Sequence, residues 1–305
     1  MSAVLISTSS FGERPLTRLA MAGLSYELNP YGRKLEEAEA AKLLAGKAGV
    51  IAGVEKLSRG VLEKQSELKV ISRCGVGLDS VDLEAAKSLG IRVFNTPNAH
   101  VDAVAELTLG GMLSAMRRIP AADRSIRSGA WKKPMGSLLR GKTVGIVGLG
   151  RVGKRLVSLL LPFEVKLVAS DPDRDGAFAN THRIEWLDLE TLFTRSDVVS
   201  LHLPFTPATS GLVGVSLLSK LKGDAVIVNS ARGGVIDEGA LVEHLTKNPS
   251  ASAYLDVFEK EPYSGPLATL ENAVLTTHIG SYAAEARELM ENEAVDNLFA
   301  GLGLA

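Results

Sequence analysis

The chain has almost no cysteine. Its 305 residues contain one, Cys74, which excludes an intrachain disulfide framework and any multi-cysteine zinc site, and suits a reducing, cytoplasmic setting. Neither sign of charge is in excess: 34 Lys and Arg stand against 35 Asp and Glu. No block of like charges marks a nucleic-acid or anionic-membrane surface. Long apolar runs are also missing, since no stretch approaches the ~18 residues of a membrane span. The opening residues, MSAVLISTSSFGERP, lack the basic n-region of a secretory signal. Internal repeats and low-complexity tracts are absent. His100, His182 and His244 follow no metal-ligand spacing, so no metal is expected. What remains is an ordinary globular composition, 46% apolar, long enough for about two domains.

Residues 142–171, KTVGIVGLGRVGKRLVSLLLPFEVKLVASD, organise the rest. A strand-like run at 143–147 leads into Gly148, Gly150 and Gly153. An apolar helical pattern follows and breaks at Pro162. A second strand-like run, 165–169, ends in Asp171. This is strand, G-x-G-x-x-G turn, helix, strand and acid, the context in which the glycine pattern signals a dinucleotide. Gly148 permits the tight turn, Gly150 lets a pyrophosphate approach the backbone, and Gly153 lets the helix lie close on the strand. Exposed N–H groups at the helix start, with the helix dipole behind them, attract the anion. Asp171 follows at close to the ~20-residue spacing of an acid that binds ribose hydroxyls. It would repel a 2′-phosphate and so favours NAD over NADP, although Arg174 stands nearby. The plainer alternative for Asp171 is a turn acid before Pro172.

On both sides of this stretch strands and helices alternate. Strand-like runs fall at 3–7, 26–28, 49–53, 69–72 and 91–94, then at 197–203, 225–229, 252–258 and 274–277. The alternation predicts an α/β protein with two doubly wound parallel sheets. A flavodoxin-like substrate-binding domain is expected over 1–98 plus 282–305, and a Rossmann NAD-binding domain over 99–281, with a cleft between them. Residues 101–116, VDAVAELTLGGMLSAM, form a helix apolar on most sides, which asks for burial between domains or against a second subunit. Residues 127–140 read as a polar loop, with Lys132 and Lys133 solvated. His202 exits a strand, where it packs or lines the NAD site. Cys74 reads as a small buried thiol, since no base is evident beside it.

Ligands of open α/β sheets bind at the carboxyl ends of the strands, and the chemistry-bearing residues collect there. Arg232 lies in a glycine-flanked loop after the run 225–229. A guanidinium there can fork onto the carboxylate and carbonyl of a 2-keto acid; alone, it could equally be a surface arginine capping carbonyls. Glu261 and His278 also follow strands. A carboxylate bonded to a histidine fixes its tautomer and raises its pKa, suiting it to exchange a proton near neutrality; alone, His278 could be a satisfied core histidine. NAD would carry the hydride, and an arginine with a Glu–His pair would supply orientation and proton transfer.

ISRCGVGLDSVDLEAA, NTPNAHVDAVAELTLG, GKTVGIVGLGRVG, VNSARGGVIDEGALVEHL, LDVFEKEP and LTTHIGSYAAEAR occur in that order. Together they resemble the D-isomer-specific 2-hydroxyacid dehydrogenases, and within them the phosphoglycerate dehydrogenase branch. The resemblance implies Arg232 as the substrate-orienting arginine, His278 as acid and base, and Glu261 as its partner. It implies cofactor contacts at Thr96, Arg151, Val152, Asp171, Leu203, Ala231, Asp256, His278 and Gly280. It places the substrate carboxylate on the amides of Val76 and Gly77, and makes Arg73 a candidate for a substrate phosphate. A homodimer formed through the NAD-binding domains and a place in serine biosynthesis are implied as well. The chain stops at Ala305, so the regulatory domain of longer phosphoglycerate dehydrogenases, and serine feedback through it, are not expected. Reductases of glyoxylate, hydroxypyruvate or pyruvate are the nearest alternative. An NAD-sensing corepressor-like binding protein is the alternative of a different class.

Overall fold

The computed structural model describes residues 3–304. The chain divides into two compact units, one running up to His100 and resuming at Ser281, the other spanning Val101–Gly280.

The first unit is built on β1 (Ala3–Ile6), β2 (Ser25–Leu28), β3 (Gly49–Ala52), β4 (Val70–Arg73) and β5 (Arg92–Phe94). The order is β2-β1-β3-β4-β5, and every neighbouring pair is parallel. Strands β1, β3 and β4 are almost wholly buried, because helices cover both faces of a parallel sheet. Such strands read as continuous apolar runs rather than as alternation. The final helix, Ala284–Leu302, packs Met290, Ala294, Val295 and Leu298 against Val4, Ile6, Ile51 and Val70.

The second unit holds β6 (Thr143–Val147), β7 (Lys166–Ser170), β8 (Glu185–Trp186), β9 (Val198–Leu201), β10 (Val226–Asn229), β11 (Ser252–Leu255) and β12 (Ala273–Leu275). Their order is β12-β11-β10-β9-β6-β7-β8, parallel throughout. The strand order reverses between β6 and β9, so that pair marks the ligand edge of the sheet. The expected fold class therefore holds for both sheets.

Several features differ from the sequence expectation. The apolar helix Val101–Met116 lies inside the second unit, against β10, β11, β12 and the helix Arg151–Leu160. Its small residues let it sit close: a Cβ at Gly111 would run into the Tyr254 ring. Most of its apolar surface is thus covered within the unit, without a second subunit. A further helix, Ile119–Arg127, precedes the 127–140 segment. It buries only Ser125, and the apolar residues spaced along one face, Ile119 and Ile126, stay exposed. The segment after it is not simply polar, since Trp131, Met135 and Leu138 are 79%, 90% and 67% exposed. The helix Gly176–His182 and the two-residue strand β8 also escape a periodicity reading. That helix, GAFANTH, buries only Ala179 and is held at its start by Asp175 accepting the Phe178 N–H at 3.0 Å.

Candidate active site

The turn after β6 is shaped as a dinucleotide cradle. Gly148 has φ +92°, and a Cβ there would stand 2.6 Å from the His202 carbonyl oxygen. Only glycine fits both the backbone angle and the approach. A Cβ at Gly153 would meet the Gly148 carbonyl, so the helix Arg151–Leu160 can lie against the turn only with glycine there. Gly150, the cap of that helix, has open space on its Cα and no side-chain cap bond. The helix therefore presents its first N–H groups, with their partial positive charge, beside an uncrowded backbone. Asp171, at the end of β7, accepts the Leu149 N–H at 2.7 Å and the Asp173 N–H at 2.8 Å. The turn acid and the ribose acid are thus compatible: two oxygens accept one bond each, which leaves lone pairs for a diol. Arg174 lies over the Trp186 ring, 5.6 Å from its centroid. The donors and the acid of this turn match what NAD requires.

At the same carboxyl edge the structure brings Glu261 and His278 together, Nδ1 lying 2.8 Å from Oε2. Glu261 Oε1 also accepts the Phe258 N–H at 3.1 Å. With Nδ1 bound to the carboxylate, Nε2 is the ring nitrogen that could exchange a proton. The pair is accessible, with side chains 49% and 37% exposed. His278 has φ 55°, a left-handed conformation that costs a non-glycine residue about 1–3 kcal/mol. Asp256 holds it there. This wholly buried carboxylate accepts the Ile279 N–H at 2.9 Å, the Gly280 N–H at 2.8 Å and the Thr276 hydroxyl at 2.5 Å. Asp256 and Gly280, expected as cofactor contacts, thus form the anchor behind His278.

Arg232 sits in the loop after β10, half-buried, its Nη1 donating to the Ala231 carbonyl at 2.7 Å. Asn229 ties that loop: its Nδ2 donates to the Arg232 carbonyl at 2.9 Å and its Oδ1 accepts the Ala231 N–H at 3.1 Å. Gly233 passes so close to the strand exit that a Cβ would strike the Phe258 carbonyl. Ser230 is held from below by Thr108 of the long helix, hydroxyl to hydroxyl at 2.5 Å. Asn229 and Thr108 lie within the quoted motifs, but the sequence alone gives them no role. A strand-end Asn before a glycine-bearing turn is the one local signal of an Asx turn. Arg151 and Val152 open the first turn of the cradle helix, and Leu203 lies beside Gly148.

The remaining expected residues belong to the first unit. Thr96 is wholly buried, and its hydroxyl accepts the Gly75 N–H at 2.8 Å. It thereby shapes the loop after β4, in which Val76 accepts a bond from Asn95 at 2.8 Å and Gly77 is half-buried. The Arg73 guanidinium donates to the Cys74 carbonyl and lies over Gly75. Cys74 is buried, which pushes its thiol up to about 11 and makes it a poor nucleophile at neutral pH. Among the described residues, no group of three or more His, Cys, Asp or Glu could hold a metal ion.

His202, after β9, pairs its Nε2 with the Ser200 hydroxyl at 2.9 Å, and burial pushes its pKa down to about 4. It is therefore a neutral ring beside the turn at physiological pH. An unfolded imidazole, with a pKa near ~6.5, takes up a proton that the native state refuses. Its stabilising effect is present above that value and fades as pH falls towards about 4. Denaturant titrations across this window should show the wild type losing up to about 1.4 kcal/mol per pH unit more than His202→Gln. Parallel pH slopes for the two proteins would contradict this.

The NAD-binding domain model of the D-isomer specific 2-hydroxyacid dehydrogenases matches residues 109–280. Hydroxypyruvate reductase of Thermotoga maritima is 40% identical over 261 residues, 84% of each chain. D-3-phosphoglycerate dehydrogenase of Methanocaldococcus jannaschii is 42% identical over 83% of this chain, which spans 48% of that enzyme's length. The crystal structure of the TT0316 protein from Thermus thermophilus superposes with a TM-score of 0.92 at 38% identity, covering 99% and 97% of the two chains. The chain belongs to the D-isomer specific 2-hydroxyacid dehydrogenase family, NAD-dependent oxidoreductases. Its second unit carries the family's NAD-binding domain.

Proposed function

We propose that this chain uses NAD to interconvert a three-carbon D-2-hydroxy acid, glycerate or its 3-phosphate, with the corresponding 2-keto acid. The observation that carries this is the Glu261–His278 pair, anchored by Asp256 on the sheet edge that also presents the glycine turn and Arg232. When bound, NAD supplies the hydride acceptor for oxidation and, reduced, the hydride donor.

The chain does the rest. Gly148, Gly150 and the first amides of the Arg151–Leu160 helix receive the pyrophosphate, and Asp171 takes the ribose hydroxyls. Arg151, Val152, Leu203, Ala231 and Gly280 line the cofactor path. Arg232 forks onto the substrate carboxylate and carbonyl, fixing the face that C2 presents. His278 Nε2 takes the hydroxyl proton during oxidation and returns it during reduction, while Glu261 fixes the ring tautomer. In the first unit, a substrate-binding domain in this reading, the Val76 and Gly77 amides take the carboxylate.

The sequence motifs favour the phosphorylated acid, with Arg73 as the phosphate contact. The match to a hydroxypyruvate reductase over 84% of each chain favours the free acid. NADH oxidation over hydroxypyruvate, 3-phosphohydroxypyruvate, glyoxylate and pyruvate tests the proposal. Turnover on a three-carbon acid is expected, and no turnover on any member would move the reading to an NAD-sensing binding protein. A cytoplasmic homodimer through the second unit is the assembly we favour, with the exposed Trp131, Met135 and Leu138 as its apolar face. Light scattering should give twice the 32.3 kDa chain mass; a monomer at micromolar concentration would refute it.

A further inference from the structure

Tyr254 and Asp256 stand two residues apart where β11 ends, so both side chains leave the same face of the sheet. Thr276 lies beside them at the end of β12, its N–H donating to the Leu255 carbonyl at 3.0 Å. The helix Val101–Met116 covers this row and meets it twice. Gly111 lies directly on the Tyr254 ring, where a Cβ would clash. Further along, a Cβ at Gly280 would come 3.2 Å from both Asp256 Oδ2 and Val104 Cγ2.

Tyr254 is 1% exposed, and a buried phenol needs a hydrogen-bond partner. It has Thr276 Oγ1 at 3.0 Å. The direction of that bond is forced. Thr276 has a single hydroxyl hydrogen and gives it to Asp256 Oδ1 at 2.5 Å, because a carboxylate only accepts. Tyr254 is therefore the donor, and burial pushes its pKa up to about 12, so it keeps the proton. The result is a one-way chain from Tyr254 through Thr276 to Asp256, in which each bond polarises the next. It ends on the Ile279 and Gly280 amides at 2.9 and 2.8 Å, the two residues that follow His278.

We propose that Tyr254 is a positioning residue for proton transfer, its hydroxyl acting through Thr276 and Asp256 to hold His278 on Glu261 with Nε2 presented. This rests on the reading of His278 as acid and base given above. Asp256 Oδ1 takes two donors, the Thr276 hydroxyl and the Ile279 N–H. Without the tyrosine hydrogen, Thr276 Oγ1 loses its donor and its own hydroxyl is free to turn away from Asp256. The carboxylate then loses one of the bonds that fix its rotation, and its hold on the two amides loosens. His278 sits between that hold and Glu261 at φ 55°, a conformation that persists only while its surroundings impose it.

The test is NADH-linked kcat and KM for wild type, Tyr254→Phe, Thr276→Val and the double variant, with NADH affinity measured by fluorescence. The substrate is whichever of hydroxypyruvate and 3-phosphohydroxypyruvate the wild type turns over faster. Tyr254→Phe should lower kcat by about 5–10-fold, the weight of one hydrogen bond, with KM and NADH affinity within about twofold of wild type. Thr276→Val should lower kcat at least as much. Because the tyrosine acts through the threonine, adding Tyr254→Phe to Thr276→Val should change kcat by less than about twofold. If Thr276→Val does not fold, Thr276→Ser takes its place; it keeps the hydroxyl, so kcat should stay near wild type and the full Tyr254→Phe loss should persist in its background. An unchanged kcat in Tyr254→Phe, a loss carried by KM or NADH affinity instead, or losses that multiply with Thr276→Val overturn the role of Tyr254 alone. A wild type inactive on both substrates, or a His278→Ala variant as active as wild type, overturns the acid–base reading and this proposal together.

Discussion

Replacing His278 with alanine should lower kcat by about 10²–10⁴-fold, the usual contribution of a positioned acid–base group. NADH affinity should stay within about twofold of wild type, because the dinucleotide cradle is a separate turn. The separation is structural. His278 sits after β12, held at φ 55° by amides that Asp256 binds, while the cradle follows β6. Alanine keeps those backbone amides, so the Asp256 anchor survives and the loss is confined to the imidazole. Glu261→Gln should fall between wild type and alanine, since a carboxamide can still bond Nδ1 at the observed 2.8 Å separation but can present a donor to it. Wild-type turnover in His278→Ala would remove the residue from the chemistry. A parallel collapse of NADH affinity would mean that the substitution damaged the fold.

Arg232→Ala should lower kcat/KM by about 10²–10³-fold, as expected for losing one forked, charge-assisted contact. Both kcat and KM should suffer, because the same guanidinium binds the substrate and aligns its carbonyl. The loop itself should hold, since its fixed points are Asn229, the Thr108–Ser230 pair and the close pass of Gly233 under the Phe258 carbonyl. Arg232→Lys keeps the charge but not the fork, and should recover only a small part of the loss. A lysine variant at wild-type efficiency would show that charge alone suffices.

Much of the fold was legible because parallel strands buried on both faces are short continuous apolar runs, AVLI, GVIA, TVGIV and VIVN among them. The glycine turn was legible because its chemistry is local: three glycines, a helix start and an acid at a fixed spacing. The helices Ile119–Arg127 and Gly176–His182 were not, since each is short and buries only a single small residue. The long helix Val101–Met116 is apolar on most sides, a pattern that by itself does not say what covers it. Only the sheet packing shows that β10, β11 and β12 lie beneath it. In the site, Arg232, Glu261 and His278 announce themselves by residue type at strand ends. What positions them is tertiary. Asp256 spans 23 residues to reach the Ile279 amide, and Ser230 meets Thr108 across 122.

The handedness of the product tests the central claim most directly. Wild-type protein, NADH and hydroxypyruvate should yield NAD and glycerate, and the glycerate resolved on a chiral column should be the D isomer. L-glycerate, a racemate, or no NADH oxidation with hydroxypyruvate or its 3-phosphate would contradict the account.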